Sequence, residues 1–164
     1  MKLIIFLFIT NSLFASVLDD IRNQFPQIKS LKEADLYLNL LEKENNAESK
    51  AYFGAMLLMK SRYAKFPLTK YSYFKKGKLV LDNCIKNYKM NLEMRYLRFV
   101  FQNQIPDFLN YHANIDEDFS VIVKGIEKAD LNKDFKIKIL NNMLIVKKLT
   151  PNQGTQIKLL LAKI

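Results

Sequence analysis

A chain of 164 residues is long enough to bury one hydrophobic core without covalent staples and too short for two ordinary domains. Its single cysteine excludes an internal disulfide, its single histidine leaves little for acid–base or metal chemistry, and four glycines with four prolines argue against a turn-rich β architecture. The formal charge of +10 directs attention to acidic partners and anionic surfaces.

In chain order, MKLIIFLFITNSLFA has the form of a secretory signal peptide: Lys2 is the basic start, Leu3 to Ile9 the apolar core, and Ala15 the small residue before a cleavage point. The run is far shorter than the roughly 20 residues a membrane-spanning helix needs. No cysteine follows it to carry a lipid. Residues 1–15 are therefore expected to be removed, leaving 16–164 as a single soluble domain, periplasmic or secreted, with no transmembrane segment. Because Lys2 is the only charge in the leader, the product carries +9.

Ser30-Leu31-Lys32-Glu33 has the spacing of a capping box and opens an expected helix over 31–44, with Leu31, Ala34, Leu38 and Leu41 on one stripe. The helix expected over 47–64 sets Tyr52, Met56, Met59 and Tyr63 on one face and Ala51, Gly54 and Ala55 on another, which implies two neighbours. Pro67 separates it from a helix over 69–88, where Leu81, Cys84, Ile85 and Tyr88 form a buried stripe and Gly77 permits close approach. Cys84 reads as a small core residue. The helix over 92–104, ended by Pro106, carries two apolar stripes and is expected to be nearly surrounded. Asn114 is placed to cap a helix with Asp116, Glu117 and Asp118 in its first turn, a further helix covers 131–146, and Thr150-Pro151 opens the last one. The sum is an all-α domain of six to eight helices.

Part of this pattern resembles a tetratricopeptide repeat. Gly54, with Phe53 before it and Leu57 nearby, stands where the repeat's first helix carries its glycine. Gly77 stands at the small residue of the second helix, Leu81 and Cys84 at its buried positions, and Asn91-Leu92-Glu93 at the opening of a next repeat that continues through Leu97 and Phe101. The resemblance covers about a third of the chain and implies a right-handed stack of antiparallel helix pairs that binds protein or peptide segments. The chain departs from the repeat in spacing, since Gly54 and Gly77 are 23 residues apart where the repeat allows about 12. Arg98 replaces the next repeat's glycine and Tyr88 replaces its proline. The chain is also similar to small exported bacterial helical proteins without an assigned activity.

Charge adds a second signal. From Lys50 to Lys78 there are eight basic residues and no acid, with Tyr63, Phe66, Tyr71, Tyr73 and Phe74 interleaved. Within that run Lys60, Arg62, Lys65, Lys70, Lys75, Lys76 and Lys78 are candidates for a patch contacting an anionic envelope surface, whether lipid, glycolipid or polyanion. Export argues against nucleic acid, and no nucleic-acid fold signature is present. The stretch 99–123 is the reverse, with Asp107, Asp116, Glu117 and Asp118 and no Lys or Arg, so its acids are expected to pair within the molecule or with a second copy. A calcium loop starting at Asn114 fails because position 119 is Phe and position 125 is Gly. No catalytic, metal or cofactor constellation is visible around His112 or Cys84, and neither enzyme activity nor a cofactor is expected.

Two function classes follow: an exported interaction module holding a protein or peptide partner, and a basic-patch binder of anionic surfaces. For the first, Arg95, Arg98 and Gln102 are the candidate partner-binding residues, as part of the narrow polar line on an otherwise apolar helix; the alternative for the arginines is internal pairing with Glu93 or another acid.

Overall fold

In a computed structural model that describes residues 16–164, the described chain is all-helical, with eight α-helices, one short 3-10 turn and no strand. The expected leader, 1–15, lies outside the described residues. The helices are α1 (Val17–Gln24), α2 (Leu31–Leu41), α3 (Ala47–Tyr63), α4 (Pro67–Asn87), α5 (Leu92–Gln104), α6 (Ile115–Gly125), α7 (Lys133–Leu144) and α8 (Pro151–Lys163). The 3-10 turn, Asp107–Leu109, lies between α5 and α6. No described helix is long and apolar enough to cross a membrane.

Helix starts follow from side-chain chemistry. Ser16, Ser30, Asn46, Asn91, Asn132 and Thr150 each accept a hydrogen bond from the backbone N–H three residues on, satisfying a donor that no helical carbonyl can reach. Thr150 and Gln153 complete a reciprocal capping box. At Ser30 the box is only half made, because the Glu33 carboxylate accepts from the N–H of Lys29 at 2.9 Å. Pro67 occupies the first turn of α4, where its missing N–H costs nothing, so the helix starts two residues before the expected 69. The short α1 went unread in the sequence, although Ser16 caps it and Asp19 and Asp20 stand in its first turn.

Glycine sets the central contact. Gly54 on α3 lies against the backbone of Leu81 and Gly77 on α4, while Gly77 lies against Gly54 and Leu58, so the two helices run in opposite directions. A Cβ on Gly77 would sit 2.7 Å from the Gly54 carbonyl oxygen and 2.8 Å from the Leu58 nitrogen. Neither atom can yield without moving a helix. The α3–α4 interface is the most extensive in the molecule, with α2 on a second side of α3.

The next helix, α5, touches α3, α4, α6 and α7. Every residue from Glu93 to Asn103 is buried, which meets the expectation of a surrounded helix. Phe25, from the α1–α2 link, packs its ring against Tyr52, Tyr96 and Phe101 with centroids 5.7–6.0 Å apart, joining α3 and α5 through one side chain. Cys84 is buried and free, and burial pushes its thiol above the ordinary pKa.

Candidate functional site

Arg95, Arg98 and Gln102 face inward. Arg95 and Arg98 are 4% and 6% exposed and Gln102 is fully buried, so the polar line on α5 lies against α6 and does not border a groove. The partner is Asp118, itself fully buried one turn into α6: its Oδ1 accepts from Arg95 Nη1 and Arg98 Nη2, both at 2.8 Å, and its Oδ2 accepts from Arg98 Nε at 2.7 Å. Glu117 accepts from Arg95 Nη1 at 2.6 Å, and Arg98 Nη1 lies 3.5 Å from Asp82 on α4. Gln102 donates weakly to Asn114 at 3.5 Å. Asn114 makes no capping bond and instead donates to Glu117. Burial is the largest single influence and alone would lower the pKa of both arginines, but the hydrogen bonds to Asp118 together with the charges of Asp118, of Glu117 at Arg95 and of Asp82 at Arg98 leave both raised. Glu93, the other candidate acid, pairs with Arg22 of α1 through two 2.7 Å bonds.

The expected lysine-rich patch is likewise dispersed. Lys60 turns inward, pairs with Asp35 and sits over the Tyr73 ring, so it is not part of an open cationic face. Lys75 lies over Tyr71 and Lys78 over Tyr111, at 5.7 and 5.0 Å from the ring centroids. Lys76 is exposed about 200° round α4 from Phe74, at 100° per residue, and so projects from the opposite side. Only Arg62, Lys65 and Lys70 of the seven border a common opening.

That opening is a groove of about 870 Å3 where α3, α5 and α7 end and α4 begins. Leu58, Met59, Phe74, Phe101, Ile105 and Val146 form its apolar floor, and Arg62, Lys65, Lys70 and Lys147 stand around it. Among the described residues no aspartate or glutamate lines it. Local sequence builds each wall. Pro106 ends α5 and starts the 3-10 turn, which Asn110 closes in the left-handed conformation at φ 49°, a geometry asparagine tolerates. The turn leaves Phe108 83% exposed at the lip, and Ile145, 73% exposed beyond α7, borders the same groove. An ion pair between Asp107 and Lys148 ties the turn to the α7–α8 link.

A second recess, of about 570 Å3, lies between α5, α6 and the α6–α7 link. It carries both signs of charge, Glu48 and Asp130 against Lys124 and Lys128, and its buried carboxylate, Glu93, is already held by Arg22. The apolar, single-signed groove is therefore the better binding surface. Among the described residues no three His, Cys, Asp or Glu side chains gather as metal ligands.

Lys147, Phe108 and Ile145 escaped the sequence reading. Phe108 sits between Pro106 and Asn110, outside any helical stripe, and a large apolar residue flanked by turn formers is the one local signal it offers. In comparisons with protein-family models, curated proteins and solved structures, nothing matched the chain.

Proposed function

We propose that this chain is an exported helical-repeat interaction module that binds a protein or peptide partner in the groove at the ends of α3, α5 and α7. The carrying observation is that groove: an apolar floor, exposed Phe108 and Ile145 at its lip, and four surrounding cations. Contiguous apolar surface of this kind, rimmed by polar groups, is what interaction sites expose. The repeat-like reading, a right-handed stack of the pairs α3–α4, α5–α6 and α7–α8, draws support from the Gly54–Gly77 contact at the two glycine positions of the resemblance. The Ser61 hydroxyl at the groove donates to the Leu58 carbonyl, and binding without catalysis remains the reading taken from the sequence. Export rests on the signal-like leader.

Photocrosslinking tests the reading in the cell envelope. A photoreactive residue at position 108 is expected to trap a defined protein adduct, while the same residue at Leu36, exposed on α2 outside the groove, traps none. Identical adduct patterns from both positions, or none from either, would refute the assignment.

A further inference from the structure

We infer that the groove's occupant is an acidic amphipathic peptide segment, one that inserts large apolar side chains between Phe108 and Ile145 and sets carboxylates against Arg62, Lys65, Lys70 and Lys147. The inference rests on the groove being the interaction site.

Charge carries the first step. Arg95 and Arg98 are neutralised by Asp118, Arg22 by Glu93 and Lys60 by Asp35, so these inward-turned cations are already satisfied within the molecule. The four around the groove have no carboxylate within salt-bridge distance among the described residues, and no acid lines the opening. A cationic ring over an apolar floor repels basic segments and attracts acidic ones, so charge selects the partner while burial of its apolar side chains supplies affinity.

Backbone chemistry carries the second step, a peptide in preference to an acyl chain. Three helix C-termini meet at the groove, and the last carbonyls of a helix have no partner within it. The C-cap N–H groups of Ala64 and Ile105 take only the Lys60 and Phe101 carbonyls. At the end of α5 the exposed Gln104 side chain borders the groove and makes no hydrogen bond among the described residues, so its amide is open to water or to a bound chain. A peptide offers N–H and C=O groups to these acceptors and to that amide. An alkyl chain lying over the Gln104 amide would leave it unsatisfied, at a cost in free energy.

The test is fluorescence anisotropy on the full chain with three labelled peptides that share one Leu/Phe pattern and carry Glu, Gln or Lys at the polar positions. Phosphatidylglycerol vesicles form a separate arm. The Glu peptide is expected to bind tightest and to weaken as salt shortens the screening length from about 30 Å at 0.01 M to about 3 Å at 1 M. Lys65→Glu with Lys147→Glu should weaken it by about tenfold or more and reverse the order in favour of the Lys peptide. Phe108→Ser with Ile145→Ser, both at exposed positions that leave the core intact, should weaken all three peptides. Equal binding of the three peptides, abolished by the Phe108/Ile145 pair, would overturn the acidic inference and leave the groove as a peptide site. Peptide binding indifferent to the Phe108/Ile145 pair, or no peptide binding beside tight vesicle binding, would overturn both.

Discussion

Replacing Gly77 by alanine isolates the contact on which the α3–α4 pair depends. The new Cβ would meet the Gly54 carbonyl oxygen at 2.7 Å and the Leu58 nitrogen at 2.8 Å, where ordinary contact begins at 3.4 Å, so the helices must part by about 0.7 Å. Opening a packed interface by 0.5–1 Å forfeits roughly a quarter to a half of each atomic contact along it. Overpacking of this kind costs about 1–3 kcal/mol, and the upper end applies because the obstructing atoms are backbone. Alanine's higher helix propensity returns about 1 kcal/mol. The net expectation is a loss of about 2 kcal/mol, which lowers Tm by about 4–8 °C for a chain of this size. Gly154→Ala is the matched control, since its Cβ would have only Leu149 Cδ2 nearby, at 3.7 Å. That variant should keep the propensity gain and unfold about 2–4 °C higher. Thermal denaturation followed by circular dichroism measures both. A Gly77→Ala protein as stable as the parent would refute the argument that this glycine is held by backbone approach.

Asp118→Ala leaves two guanidinium groups in a buried interface without their carboxylate and should cost about 3–5 kcal/mol in urea denaturation; a change under about 1 kcal/mol would show the pair to be solvated. At high pH, burial raises the pKa of the Tyr37, Tyr52, Tyr96 and Tyr111 phenols above the ordinary 10.0, with Asp20 and Asp82 adding to the effect at Tyr37 and Tyr111. A folded-state pKa above the unfolded one means stability is full below pH 10 and falls as pH rises past it, so these four should ionise only with unfolding. Ultraviolet titration checks this, and ionisation of all eight tyrosines near pH 10 with the helical signal intact would contradict it. If the leader is cleaved as read, N-terminal sequencing of exported protein begins at Ser16, the cap of α1; retention of Met1 would remove the basis for export.

Helices were legible where spacing and caps agree, as in Leu81, Cys84 and Ile85 of the expected α4 stripe and the Thr150 cap, because those signals are local; Tyr88, expected on the same stripe, falls at the C-cap of α4 where the helix has ended and is 52% exposed. What residues on different helices do to one another was not. Asp118 reads in sequence as one of three first-turn acids suited to the helix dipole, and nothing nearby announces that it lies under two arginines some twenty residues earlier. Arg95 and Arg98 looked available for the same reason: a polar line on an apolar helix is the pattern of a groove and equally of a buried ion cluster. The lysine run from Lys60 to Lys78 is spread in space because a helix distributes consecutive residues around its axis, and because the rings of Tyr63, Tyr71, Tyr73 and Tyr111 each lie beside one of its cations. The groove needed elements from four parts of the chain, and only their docking brings Lys147 to the same opening as Lys70.

The cluster of Arg95 and Arg98 on Asp118 also determines where α6 can come to rest along α5. Apolar stripes are forgiving, and a helix lined with Phe, Leu, Met and Val offers several seatings of similar burial. A slip of one turn, about 5.4 Å, would carry Asp118 beyond the reach of both guanidiniums and strand three charges in a dry interface. The triad thus acts as a notch that favours one alignment of the two helices, which the 3-10 turn carrying Phe108 connects.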